Sequence, residues 1–63
     1  MDSTYQRAMN ANVTPQIFST MVSNAQKVAE AFAGSGSASV DAESIAAVFS
    51  RMVVAQIEMF EKK

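Results

Sequence analysis

The 63-residue chain contains neither cysteine nor histidine, and only 17% of its residues are charged. The missing cysteine excludes disulfides, and the lack of both residue types removes the usual zinc ligands. Acid–base catalysis relies most often on histidine, and nucleophilic catalysis on cysteine or on an activated serine. Helix capping and solvation account for all six acidic residues, because none lies within an apolar pattern. We therefore expect no enzyme, and no catalytic, cofactor-binding or metal-binding residue.

The two glycines lie in the segment GSGS, residues 34–37, which resembles part of a phosphate-binding loop. A phosphate loop requires a preceding strand and a following Gly-Lys-Ser/Thr. Here a helical pattern precedes the glycines, and Val40 and Asp41 follow them. A flexible linker is the better interpretation.

The charged residues are balanced, with five basic and six acidic side chains and a net charge of −1. Nucleic-acid-binding proteins usually carry a basic stripe, and attachment to a membrane surface usually needs a basic cluster. The N-terminus lacks the segments of a secretory signal, and no apolar run approaches the length of a membrane span. The sequence thus predicts a cytoplasmic protein that binds neither nucleic acid nor membrane.

Two segments have the apolar periodicity of amphipathic helices, which predicts an all-α fold. The first helix covers about residues 15–33, with Thr14 as its N-cap. Gly34 follows its last periodic residue and is expected to be a left-handed C-terminal cap. The second helix covers about residues 42–61 and begins after an Asp41 cap.

The linker between these helices, residues 34–40, is long enough to let them fold back on each other. The expected architecture is an αα-hairpin domain over residues 13–63, preceded by residues 1–12. The first twelve residues are either a frayed tail or a short helix. A short helix would begin at Ser3, with Gln6 completing a capping box.

The apolar arc of the second helix spans roughly 200° on a helical projection, which is wider than a hairpin requires. An isolated hairpin would leave the surplus in water, so we expect a second chain to cover it. Small chains without disulfides or metals commonly gain stability by association, here as a dimeric four-helix bundle. The residues expected at the oligomer or partner interface are Phe49, Met52, Val53, Gln56, Ile57, Met59 and Phe60.

Gln56 lies in the middle of this apolar arc, and two interpretations of it stay open. It is either a partly exposed amide at the edge of the helix seam or a buried amide paired with its symmetry mate. A single buried polar residue of the second kind can fix register and oligomeric state.

These features are typical of a small non-enzymatic protein–protein interaction module. It would act as an adaptor, an anti-activator or a chaperone-like regulator through an apolar helix face. A homodimer is the expected state, and a client protein is a further candidate partner. The alternative is a self-assembling structural subunit of a secretion apparatus, a filament or a phage-type particle, in which the same surface forms repeating contacts.

Overall fold

The computed structural model describes residues 3–36 and 40–62, which form three α-helices and no strand. α1 spans Thr4–Asn10, α2 spans Pro15–Ala33 and α3 spans Ala42–Glu61. The all-α class is confirmed, and the packing of α2 against α3 is that of a helical hairpin. The middle of the predicted linker, residues 37–39, lies outside the described residues.

All three helices begin in the same way, with a side-chain oxygen that accepts a hydrogen bond from a backbone N–H three residues later. The donor–acceptor pairs are Gln6 N to Ser3 Oγ at 3.0 Å, Ile17 N to Thr14 Oγ1 at 3.2 Å and Ser44 N to Asp41 Oδ1 at 2.7 Å. Each bond satisfies one N–H group that a helix start leaves unpaired. The backbone N–H of Ser44 also lowers the pKa of the Asp41 carboxyl.

The corner between α1 and α2 turns at Asn12, whose φ of 67° is left-handed. The backbone N–H groups of Val13 and Asn12 donate to the carbonyls of Ala8 and Met9, each at 3.0 Å. This pair of bonds is a Schellman motif, in which asparagine replaces the more usual glycine. Val13 and Ala8, the residues that the motif brings together, are both buried. The corner therefore holds α1 against the hairpin.

The left-handed cap predicted at Gly34 is wrong, because Gly34 has a φ of −87°. The N–H groups of Gly34 and Ser35 donate to the carbonyls of Glu30 and Phe32, so a helix-like turn continues past the end of α2. A Cβ at Gly34 would meet the Glu30 carbonyl oxygen at 3.5 Å, an ordinary contact. The left-handed glycine is Gly36, with a φ of 78°.

The core lies where the three helices meet and is built from small and medium-sized side chains. Its buried cluster consists of Ala8, Val13, Met21, Ala25, Val53 and Ile57. Ala8 and Ala25 are fully buried, and their small side chains let the helix backbones approach closely. Ile57 of α3 is also fully buried, which makes it the largest enclosed side chain of the cluster.

α1 covers only one side of the hairpin. Tyr5 of α1 packs edge-on against Phe18 of α2, with the ring centroids 5.3 Å apart. Thr4 borders a small pocket that Phe18, Val22 and Val53 also line. The side of the hairpin that carries these residues is therefore occupied, and the opposite side is left without a helix.

Candidate interaction surface

An ion pair joins α1 to the end of α3. Arg7 of α1 donates from Nε to Glu61 Oε2 at 2.9 Å and from Nη2 to Oε1 at 2.8 Å, although the residues are 54 positions apart. The hydrogen bond from Arg7 lowers the pKa of the Glu61 carboxyl, and Glu61 raises that of Arg7. It is the only ion pair among residues 3–36 and 40–62.

The opposite side of α3 presents a row of apolar side chains, here named the outer strip. Its members are Val48, Met52, Ala55 and Met59, spaced four, three and four residues apart. This spacing keeps them on one face of the helix, nearly opposite the residues that contact α1. Val48 and Met52 are half-buried, Ala55 is exposed, and Met59 is 70% exposed. Met59 is the most exposed large apolar side chain in the described residues.

α2 extends this apolar surface with Ile17 and Val28, which are 38% and 39% exposed. These residues are eleven positions apart, close to three helical turns, so they lie on the same face of α2. Ile17 and Met59 line one shallow groove of about 240 Å³ between the two helices. The outer strip together with Ile17 and Val28 is named the uncovered face.

Gln56 lies between the uncovered face and the core, and its amide is bonded within the chain. Its Nε2 donates to the carbonyls of Met21 at 2.9 Å and Met52 at 3.1 Å. Its Oε1 accepts from Asn24 Nδ2 at 3.2 Å. Both N–H groups of the amide are therefore used, and no symmetry mate is needed to satisfy them. The half-buried position agrees with the interpretation of Gln56 as an amide at the seam edge.

The residues expected at the interface divide into three groups. Val53 and Ile57 are buried in the core of the chain itself, so they offer little surface to a partner. Phe49, Met52, Gln56 and Phe60 are half-buried, and Met59 is exposed. The sequence predicted the surplus apolar surface of α3, but it did not assign Ile17 and Val28 to the same surface. Their exposure depends on where α1 packs, and helical periodicity carries no information about that.

A second apolar surface lies near the linker, between the end of α2 and the start of α3. This linker groove has a volume of about 550 Å³. Its lining is Gln26, Ala29, Glu30, Ala33, Ala42, Ile45, Ala46, Phe49 and Ser50. Four alanines leave space between the helices here, where bulkier side chains would have filled it. Glu30 is the only ionisable residue among the described residues that line this groove.

Residues 3–36 and 40–62 contain neither a candidate metal site nor a candidate membrane span. No three histidine, cysteine, aspartate or glutamate residues in these ranges lie together as metal ligands would. None of the described helices is both long and apolar enough to cross a bilayer.

Comparison of the chain with protein-family models, with curated proteins and with solved structures found no match. A functional assignment therefore rests on the chain's own surfaces.

Proposed function

We propose that the chain is a small non-enzymatic protein–protein interaction module that acts through the uncovered face. The observation that supports this proposal is the outer strip, which lies outside the core and leaves Met59 70% exposed. The buried residues of α3, Val53 and Ile57, lie in one half of its apolar arc, and Met52 is the member of the outer strip that packs against the core. The rest of the outer strip has the apolar composition of an interface, and its Ala55 and Met59 are exposed.

The energetic reason is the small size of the chain. Full burial of a Met, Ile or Val side chain contributes roughly 1.5–3 kcal/mol relative to its exposed state. Small domains have only about 5–15 kcal/mol of total stability. Met59 is 70% exposed and Ile17 and Val28 are 38% and 39% exposed, so covering all three would contribute a part of the full-burial amount for each. An adaptor, an anti-activator or a chaperone-like regulator would use this gain to bind its partner.

The assembly that we propose is a homodimer in which two hairpins form a four-helix bundle. The uncovered face draws apolar residues from both α2 and α3, as bundle packing requires. A two-fold axis would cover the face of both copies at once. A client protein could use the same face in competition with this dimer.

The linker groove supports a second candidate function, that of a self-assembling structural subunit. It lies on the α1 side of α3, since Phe49 and Ser50 line both this groove and the small pocket beside α1. The chain thus has two apolar surfaces on different sides. Two different surfaces permit heterologous contacts, which repeat and form filaments or shells when they do not close.

Sedimentation velocity across a wide concentration range tests both candidates, with three aspartate variants of α3. Met59→Asp places a charge on the uncovered face, Ala46→Asp places one in the linker groove, and Ala47→Asp is an exposed control that points away from both. We expect a closed oligomer in the wild type that only Met59→Asp dissociates. Open-ended growth that Ala46→Asp stops would favour the structural subunit. A folded wild type that stays monomeric at high concentration would rule out the proposed module.

A further inference from the structure

We infer that the partner of the uncovered face is a second copy of this chain, with its α3 packed antiparallel against the first. The inference rests on the proposed function and adds the identity, direction and register of the partner helix. It is carried by the spacing of the outer strip and by two charged residues that flank it.

The outer strip has the spacing of a coiled-coil seam. Intervals of four, three and four residues are those of alternating a and d heptad positions. Ile45 falls at the next position of this pattern, but it lines the linker groove and is not a member of the outer strip. The buried core residues of α3, Val53 and Ile57, occupy other positions of the helix, and Met52 also packs against the core. α3 therefore presents one face to α2 and α1 and a coiled-coil face to the outside, and Met52 lies where the two faces meet.

The strip is symmetric about its own centre. The midpoint between Val48 and Met59 coincides with the midpoint between Met52 and Ala55, and both fall between Val53 and Val54. A two-fold axis at this point would place Val48 opposite Met59 of the second copy and Met52 opposite Ala55 of the second copy. Each layer would then pair a larger side chain with a smaller one, which fills space evenly. A parallel pair would instead stack alanine on alanine and methionine on methionine.

Two exposed charges flank the strip on the side away from α2. Arg51 and Glu58 occupy equivalent positions one heptad apart. In an antiparallel pair, equivalent flanking positions face each other, so Arg51 would meet Glu58 of the second copy, and two-fold symmetry would form this pair twice. In a parallel pair, Arg51 would meet Gln56 of the second copy, whose amide is already bonded to Met21 and Met52. Arg51 therefore faces an opposite charge in the antiparallel direction and a neutral amide in the parallel direction.

Cysteine pairing tests the direction directly, because the chain has no cysteine of its own. Val48→Cys and Met59→Cys chains would be purified separately, mixed in equal amounts and oxidised, and the products identified by mass. The antiparallel register predicts the mixed disulfide, and it predicts little product from either chain alone. Identical residues would lie far apart, since eleven residues of helix span about 16 Å. A disulfide between two copies of the same variant, formed before mixing, would show a parallel pair. This result would overturn the inference and leave the proposed function intact.

Charge exchange tests the register in the wild-type background. Arg51→Glu places like charges opposite each other twice, and we expect the Kd of the dimer to rise roughly tenfold. The exchange variant Arg51→Glu/Glu58→Arg should restore the dimer to within about threefold of the wild type. Glu30→Arg, which has no place in this interface, serves as the control. Failure of the exchange to restore dimerisation would overturn the register. A wild type that is monomeric at every concentration would overturn both the inference and the proposed function.

Glu58 also lies close enough to Arg7 to contribute to the rise in the pKa of Arg7. Glu58→Arg could therefore weaken the docking of α1 as well as the dimer. Circular dichroism of each variant at a concentration below the Kd separates the two effects. A variant that keeps its monomer melting temperature but loses the dimer has been altered only at the interface.

Discussion

The side-chain amide of Gln56, on α3, donates a hydrogen bond of 2.9 Å to the backbone carbonyl of Met21, on α2. The same nitrogen donates to Met52 one turn earlier, and Asn24 donates to the amide oxygen. The amide therefore links the two long helices at one fixed level along the hairpin. This half-buried amide specifies how α2 and α3 are aligned along their length. If α3 shifted by one residue relative to α2, the amide would lose its acceptor on α2.

Gln56→Glu tests this link with almost no change in shape. The carboxylate cannot donate, and it would face the two carbonyl oxygens that now accept from the amide. We expect a loss of about 1–3 kcal/mol in the free energy of unfolding at neutral pH. The folded state would raise the pKa of the new carboxyl, so the loss should shrink as the pH falls and the group becomes protonated. Urea denaturation at pH 7 and at pH 4 measures both effects.

The matched control for this substitution is Gln26→Glu, on the exposed surface of α2. It introduces the same charge without a buried acceptor nearby, and its free energy of unfolding should stay within about 0.5 kcal/mol of the wild type. Equal losses in both variants would show that added negative charge, and not the lost hydrogen bonds, causes the effect.

The left-handed corner at Asn12 gives a prediction about backbone conformation. Asn12→Val places a β-branched residue at a φ of 67°, where it should cost about 1–2 kcal/mol. Asn12→Gly should be nearly neutral, because glycine adopts this conformation freely. Thermal melting of the two variants at one protein concentration compares them. Equal melting temperatures would contradict the Schellman geometry of the corner.

Gly34 provides the opposite case, because its φ of −87° is open to any residue. Gly34→Ala should leave stability unchanged or raise it by about 0.4–1 kcal/mol, since alanine restricts the unfolded chain. Thermal melting of Gly34→Ala and of the wild type at one protein concentration measures this difference. A marked loss of stability would show that this position requires glycine after all.

These two positions show how far the sequence determines the fold. The start of each long helix follows from local chemistry, because Thr14 and Asp41 accept hydrogen bonds from residues three positions away. The end of α2 does not, because glycine only permits a left-handed turn and does not impose one. Asn12 is a weaker local signal than glycine, yet it is the residue that turns the chain between α1 and α2.

The candidate site could be predicted only in part, for a related reason. Helical periodicity gives the width of the apolar arc on α3, and that width predicted surplus surface. It does not show which half of the arc is buried, because this depends on where α1 packs. One contact of α1 joins Arg7 to Glu61 across 54 residues, and no local sequence pattern predicts such a pairing. The exposed positions of Met59, Ile17 and Val28 follow from that placement.

The Arg7–Glu61 pair predicts a pH dependence of stability with a definite sign. Arg7 lowers the pKa of Glu61 in the folded state, so the unfolded state binds the proton more readily. The contribution of the pair is therefore present above the unfolded-state pKa of Glu61, and it is lost as the pH falls through the folded-state pKa. The raised pKa of Arg7 keeps this partner charged throughout that range. Melting temperatures should fall on acidification, and less steeply in Arg7→Gln than in the wild type.

The control for the ion pair is Lys27→Gln, which removes an exposed cation of α2. Its melting temperature should follow the pH in parallel with the wild type. Both variants must be compared at one low protein concentration, because association raises the apparent stability in a concentration-dependent way. Identical acid dependence in Arg7→Gln and the wild type would show that the pair contributes nothing to the docking of α1.

Two alanine substitutions in α3, Ile57→Ala and Met59→Ala, distinguish the two halves of its apolar arc. Ile57 is fully buried, so its truncation removes core contacts and should cost about 2–5 kcal/mol whatever the protein concentration. Met59 is 70% exposed, so its truncation should cost the monomer less than about 0.5 kcal/mol. The same change should raise the Kd of the dimer, because Met59 would be buried only on association.

Denaturation at protein concentrations below and above the Kd distinguishes these effects. The loss of stability from Ile57→Ala should stay constant, whereas the loss from Met59→Ala should appear only when dimers form. A loss from Met59→Ala that is already present in the monomer would place Met59 in the core and contradict the assignment of the outer strip.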